Sequence, residues 1–128
     1  MTASGATLGI VLLDGSHAHA HFAFSMAAGA AAMDRTVVLF ASGAGLEALC
    51  LDWSGLADAG HDRVLVDRGV AGLDTLREAA LTLEVRLLAC EAGLRGGSIE
   101  PGRLLEAVEV SGIASFLEAV AGGQIVSF

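Results

Sequence analysis

Lysine and tyrosine are absent from the chain, which has a single tryptophan, a single proline and two cysteines. Its seven arginines stand against 15 acidic residues, and the formal net charge is −8. Binding to phosphate backbones and to anionic membrane surfaces depends on clustered cations, whereas these arginines are scattered. We therefore expect neither nucleic acid nor a membrane among the partners.

The two cysteines are too few for a disulfide scaffold in a chain of 128 residues. The first fifteen residues lack the cationic segment that opens a secretory signal. The longest apolar stretch, 22–41, is interrupted by Asp34 and Arg35, so it does not provide one membrane-spanning helix. These absences predict a soluble cytoplasmic protein whose two thiols are free.

Apolar residues, mostly Ala, Val and Leu, are abundant and make up 54% of the chain. That content excludes disorder, and the length fits one domain that covers residues 1–128. The sparse charge and a mean hydropathy of +0.66 indicate that some apolar surface is buried between subunits. We expect a homo-oligomer.

Short, continuous apolar runs predict strands that are covered on both faces. The predicted strands are Leu8 to Leu13, Thr36 to Phe40, Val85 to Cys90, Val108 to Val110 and Gln124 to Phe128.

Helical patterns separate these strands. The predicted helices are His17 to Met33 with Ser16 as N-cap, Gly43 to Leu49, Leu73 to Leu83, Pro101 to Val108, and Ile113 to Val120 with Ser111 as N-cap. On the first helix, Phe22, Met26 and Met33 fall on one apolar face. Leu51 to Gly72 lacks periodicity and predicts a lid, a binding loop or a subunit contact, in which only Val64 to Val66 resembles a strand.

Alternating strands and helices predict an α/β fold of three layers, α/β/α, with a mainly parallel sheet of about five strands. In such sheets, ligands meet the loops beyond the carboxyl ends of the strands. Cys90 is the last residue of one predicted strand, which makes it the leading candidate for chemistry.

The segment from Cys90 to Gly97, CEAGLRGG, contains three glycines. A thiolate is the reactive form of cysteine, and backbone N–H groups in a glycine-rich turn stabilise an anion. Arg95 would add positive charge, whereas Glu91 opposes it. The Cys-x-x-Gly-x-Arg spacing is similar to the active loop of rhodanese-type sulfurtransferases, where N–H groups cradle a persulfide. The alternative is a buried structural thiol.

Cys50 and three histidines are the other candidate residues. Cys50 lies among apolar residues and is interpreted as core packing. The alternative, a bond to Cys90, would need Cα atoms within about 7 Å.

His17 and His21 share a helix face and His19 does not, so only two of the three histidines would bind one metal ion. A solvated or subunit-facing helix start is the favoured interpretation, and Phe24 on the same face favours a subunit contact.

Several segments together resemble the DsrE/DsrF-like family of small sulfur-relay proteins over nearly the full length. They are the strand ending in Asp14-Gly15, AFSMAA, TVVLF, Arg68-Gly69-Val70, VRLLACE at 85–91 and EVSGIASFL at 109–117.

The resemblance implies an α/β fold, assembly into trimers or hexamers, and sulfur carried as a persulfide on one cysteine. Cys90 matches that cysteine in position, with Ala92, Gly93 and Arg95 as the persulfide cradle. The chain departs from the family after Cys90, because many relatives have Cys-x-Met-Ser-Met there.

Three functions remain open from the sequence. The leading hypothesis is a sulfur relay in which Cys90 passes sulfur between a donor and an acceptor protein, without a cofactor. The second is an oligomeric binding or scaffold protein of the same fold with an inert Cys90. The third is a metal-dependent function built on the histidines.

Overall fold

Strands and helices alternate along the chain in the computed structural model, which describes residues 5–128. The strands are β1 (Leu8–Leu12), β2 (Val37–Ala41), β3 (Arg86–Cys90), β4 (Glu109–Ser111) and β5 (Gln124–Ser127). The α-helices are α1 (His17–Ala32), α2 (His61–Asp67), α3 (Leu73–Thr82), α4 (Glu91–Gly96) and α5 (Ile113–Ala119). Two 3₁₀ segments cover Gly43–Leu49 and Pro101–Arg103. The prediction of one domain over residues 1–128 includes four residues that lie outside the described part.

The strands form one parallel sheet in the order β4-β3-β2-β1-β5. Right-handed crossovers between parallel strands place the connecting helices on the faces of a sheet. The predicted α/β class with about five strands is confirmed. All carboxyl ends of the strands therefore lie at one edge of the sheet, where β3 ends in Cys90.

Alternate residues of a strand project to opposite faces of a sheet, and in this sheet both faces are covered. The first cluster includes Leu39 and Leu87 and lies under α1 and α3, which pack against each other. The second cluster consists of Val38, Phe40, Leu88, Phe116 and Val120, and α5 covers it. The sheet is therefore the middle of three layers.

The contact of α5 with the sheet depends on Gly9. A Cβ atom at this position would lie 2.8 Å from a Val120 methyl carbon and 2.9 Å from the Phe116 ring. The Phe116 ring stacks on Phe40 with 5.1 Å between the ring centroids. The missing side chain in β1 lets α5 pack closely enough to close the second cluster.

The buried side of α1 differs from the prediction. Phe22 and Met33 are 55% and 71% exposed, whereas Met26 is partly buried against the first cluster, so only one residue of the predicted apolar face packs on the core. The helix instead buries its small residues and Phe24. Phe24 lies in the core of its own chain, so the prediction that it contacts another subunit is wrong. Alanine side chains allow a close approach to the sheet, which the periodicity of large residues does not reveal.

Two segments have a different local structure from the predicted one. Val64 to Val66 lie in α2, which has no buried residue, so its apolar residues do not form a strand. The helix predicted from Pro101 to Val108 is a single 3₁₀ turn that ends at Arg103. Beyond it the backbone pairs with the segment around Cys50, through the Leu51 N–H to the Arg103 carbonyl and the Leu105 N–H to the Leu49 carbonyl. Those bonds compete with a continued helix.

Within residues 5–128, no helix has both the length and the apolar character required to cross a bilayer.

Candidate functional site

Cys90 occupies the junction between β3 and α4. It is the last residue of the strand and the N-cap of the helix, with extended backbone angles. A helix leaves its first N–H groups without intrahelical partners, so the Cys90 side chain lies beside free donors. The turn of N–H groups predicted after Cys90 is therefore the first turn of α4.

One of these donors binds the sulfur directly. The Gly93 N–H donates to Cys90 Sγ at 3.4 Å. The thiol is free and half-buried, and it packs at the margin of the second cluster. The sulfur thus has an apolar side toward the core and a polar contact toward α4.

Gly93 is required at its position because α4 lies close to the segment that follows β2. A Cβ atom on Gly93 would lie 2.5 Å from Ser42 Oγ and 3.1 Å from a Leu46 methyl carbon. A larger residue would push the first turn of α4 outward, and with it the N–H group that contacts Cys90.

Arg95 forms an ion pair within its own helix. Its guanidinium lies 2.9 Å from a Glu91 carboxylate oxygen, and both side chains are largely exposed. The positive charge that we predicted Arg95 to add near the Cys90 thiol is therefore paired with the opposing negative charge of Glu91. Ala92 follows Glu91 in the first turn of α4.

An open cavity of about 480 Å³ begins at the residue after Cys90. It extends along α4, and we call it the α4 groove. Its lining residues are Glu91, Leu94, Arg95, Ser98, Ile99, Glu100, Pro101 and Val110. The α4 groove thus brings apolar and charged side chains together beside the helix that follows Cys90.

The strand on the outer side of Cys90 is β4. Cys90 pairs in register with Ser111, the last residue of β4. A bidentate ion pair between Arg86 and Glu109 links the opposite ends of β3 and β4, with N–O distances of 2.8 and 3.0 Å. Ser111 ends the strand and Gly112 is the N-cap of α5, so the prediction of Ser111 as N-cap is wrong.

Cys50 is buried in the first cluster and 1% exposed. Its Sγ lies 3.5 Å from the Leu46 carbonyl oxygen and donates to it. Burial, and then the nearby Glu47 carboxylate, raise the pKa of the Cys50 thiol. These properties agree with the interpretation of Cys50 as a packing residue.

The three histidines of α1 have separate partners. His17 Nε2 donates to Asp62 Oδ1 at 2.7 Å, and His21 Nε2 donates to the Ala71 carbonyl at 2.8 Å. His19 lies 2.9 Å from both Ser16 Oγ and Asp14 Oδ2. Among residues 5–128, no group of three or more His, Cys, Asp or Glu side chains is arranged to hold a metal ion.

His17 is buried inside its own chain, at 1% exposure, so the expected solvated or subunit-facing helix start is wrong at this residue. Its ring lies near those of Trp53 and His61, with centroids 6.0 and 6.1 Å away. Asp62 also accepts the Leu73 N–H at 2.8 Å. This carboxylate joins α1, α2 and the start of α3, and the aperiodic sequence around it gave no signal of that role.

No family model and no curated protein matches the chain. Two solved structures are similar over nearly the whole length, each with a TM-score of 0.63. One is MTH1491 of Methanobacterium thermoautotrophicum, a protein of unknown function, at 18% identity, covering 96% of this chain and 99% of that one. The other is the YchN protein of E. coli, at 14% identity, covering 97% and 99%. YchN has a DsrE-like fold, and the likeness indicates a DsrE/YchN-like fold for this chain.

Proposed function

We propose that this chain is a DsrE-like sulfur-relay protein that carries sulfane sulfur as a persulfide on Cys90. The observation that carries the proposal is the position of this thiol. It is free and half-buried at the carboxyl edge of a parallel sheet, and its sulfur accepts the Gly93 N–H. The DsrE/YchN-like fold supports the same function.

The loading reaction is a thiol exchange at sulfur. The Cys90 thiolate attacks the outer sulfur of a donor persulfide, R–S–SH. The new bond forms between Cys90 Sγ and that sulfur, the donor S–S bond breaks, and the donor leaves as the thiolate R–S⁻. The product is Cys90–S–SH, so atoms and charge balance and no external oxidant or reductant is needed.

The delivery reaction repeats the exchange with an acceptor. An acceptor thiolate attacks the outer sulfur of Cys90–S–SH and takes it as R′–S–SH, and Cys90 returns to the thiolate. The protein is a carrier in this cycle, and its chemistry requires no cofactor. Donor and acceptor proteins are its transient partners, for which the α4 groove provides a contact surface.

The first turn of α4 is the part of the cradle best suited to hold negative charge. Helix N-termini interact favourably with anions through their free N–H groups. The Gly93 N–H already contacts sulfur, and Ala92 lies in the same turn. Arg95 contributes to the cradle only after it leaves Glu91, since the two side chains pair at 2.9 Å.

Self-association is part of the proposal, as a homotrimer or homohexamer in the cytoplasm. The supporting observation is the number of large apolar side chains at the surface of one chain. Those that are more than half exposed are Leu13, Phe22, Met33, Leu51, Ile113 and Leu117. Contacts between subunits would remove this surface from water.

The second candidate is an oligomeric scaffold of the same fold in which Cys90 is inert. One observation favours it: Cys90 packs against the second cluster as a small apolar residue does. Accessibility of the sulfur separates the two functions, because a relay thiol has to meet its partners.

Intact-mass analysis after exposure to a persulfide donor tests the proposal. We expect a mass increase of one sulfur atom on the native protein and on Cys50→Ala, and none on Cys90→Ser. A sulfurtransferase loaded by the same donor is the positive control. If that control is loaded and the native chain gains no sulfur, the relay is excluded and the scaffold function is favoured.

A further inference from the structure

Ser111 is the lateral neighbour of Cys90 in the sheet. The two residues pair in register across β3 and β4. Neighbouring strands lie about 4.8 Å apart, and paired residues project to the same face. The Ser111 and Cys90 side chains therefore project from neighbouring strands to the same face, which α5 covers.

The Ser111 hydroxyl is buried without a hydrogen-bond partner among residues 5–128. Buried hydroxyl groups nearly always have a partner, because burial without one is unfavourable. The hydroxyl without a partner belongs to the residue that pairs with Cys90 in the sheet. Cys90 Sγ is not its partner, and this sulfur accepts the Gly93 N–H instead.

A persulfide changes this geometry by adding one atom. The outer sulfur lies about 2.05 Å beyond Sγ, which extends the group along the face that Ser111 shares. We infer that Ser111 is a positioning residue, whose hydroxyl donates a hydrogen bond to the outer sulfur of the Cys90 persulfide. This inference rests on the proposed sulfur relay.

The two sulfur atoms then have different donors. The Gly93 N–H contacts the inner sulfur and the Ser111 hydroxyl the outer one. A hydrogen bond to a charged acceptor is stronger than one to a neutral acceptor, so the hydroxyl favours Cys90–S–S⁻ as the stored form, which takes up a proton to give Cys90–S–SH before an acceptor thiolate attacks. It also fixes the direction of the outer sulfur, which is the atom that an acceptor thiolate attacks.

The test compares variants that differ in the hydroxyl alone. Ser111→Thr keeps the hydroxyl and Ser111→Val replaces it with a methyl group, and both side chains are β-branched and suit a strand. Ser115→Ala removes an exposed hydroxyl from α5 and is the control. Each protein is loaded with inorganic polysulfide, the excess is removed, and the loss of the added sulfur is followed by intact mass.

We expect Ser111→Val to lose sulfur about 5- to 10-fold faster than the native protein. Ser111→Thr and Ser115→Ala should match the native rate. Alkylation of the unloaded Cys90 thiol by iodoacetamide should be equal in all four proteins, because the Ser111 hydroxyl makes no hydrogen bond to that thiol. A role limited to folding would change alkylation of the unloaded thiol as well.

The outcomes separate this inference from the function it rests on. If the native protein loads and Ser111→Val holds sulfur as long as Ser111→Thr, the role of Ser111 is excluded and the relay stands. A parallel change in alkylation of the unloaded thiol overturns the inference in favour of a structural role. If the native protein never loads, the relay and the inference both fail.

Discussion

Cys50 and Cys90 belong to different hydrophobic clusters, which the central sheet separates. Cys50 lies in the first cluster under α1 and α3, and Cys90 lies at the margin of the second, near α5. The two thiols thus differ in access, although both are free. This separation argues against a disulfide between them in the folded chain.

A thiol reagent should therefore distinguish two classes of cysteine by their rates of modification. In the native protein we expect a chromogenic disulfide reagent to modify Cys90 promptly and to leave Cys50 unmodified until the chain unfolds. Burial both blocks access to Cys50 and raises the pKa of its thiol. Stopped-flow measurement on the native protein, Cys50→Ala and Cys90→Ser assigns each phase, and a prompt phase that persists in Cys90→Ser contradicts the assignment.

Gly93→Ala should loosen the first turn of α4. Its Cβ atom would meet Ser42 Oγ at 2.5 Å and a Leu46 methyl carbon at 3.1 Å, and such overpacking costs about 1–3 kcal/mol. Gly96→Ala is the matched control in the same helix, because nothing lies within 4 Å of that position. Urea unfolding should show a lower free energy of unfolding for Gly93→Ala and an unchanged or higher one for Gly96→Ala. Equal changes in the free energy of unfolding of the two variants would show that the close contact at Gly93 does not affect stability.

Asp62→Asn should destabilise the protein by about 2 kcal/mol at pH 7, because it weakens a hydrogen bond to a charged group. Burial alone raises the pKa of the Asp62 carboxyl, but the bonds from His17 and from the Leu73 N–H outweigh it and hold that pKa below its ordinary value.

The difference should depend on pH with a definite sign. Because the folded pKa of Asp62 is depressed, its contribution is fully present above the unfolded value of about 3.9 and is lost as pH falls through the folded value. Urea unfolding at several pH values should show the two proteins converging in acid. Asp58→Asn makes the same change at an exposed residue, and an equal loss there would exclude the role of the buried pair.

Arg77→Met should destabilise the chain by about 3 kcal/mol. The buried guanidinium donates to the carbonyl oxygens of Ala48, Cys50 and Leu51, at 3.0, 2.5 and 3.3 Å. Methionine fills similar volume but leaves these acceptors without the donor. Arg63→Met removes an exposed ion pair with Asp67 and should cost under about 0.5 kcal/mol. Comparable thermal stability of the two variants would contradict the role of Arg77.

The buried strands could be predicted from the sequence because their environment leaves a direct trace in it. β1, β2 and β3 are covered on both faces, so they read as continuous apolar runs. The N-cap at Ser16 was also predictable, and its side chain accepts the His19 N–H. The sequence also predicted correctly that Cys90 is the last residue of β3, at the edge of the sheet where the parallel strands end.

Features that depend on tertiary contacts left no such trace. α2 buries none of its residues and is joined to the body through Asp62, a contact across 45 residues of sequence. The relation between Cys90 and Ser111 follows from strand register, which no local pattern encodes. The partner of Arg95 is likewise a matter of helix geometry: α4 places Glu91 one turn away.

β4 has three residues and lies at the margin of the sheet. Short strands with one unpaired side open more readily than central ones, so the amides of 109–111 should exchange with deuterium before those of β1 and β2. Each such opening uncovers one flank of Cys90 while the rest of the fold stays intact. Local opening at this margin therefore adds to the access that the half-buried thiol already has in the closed fold.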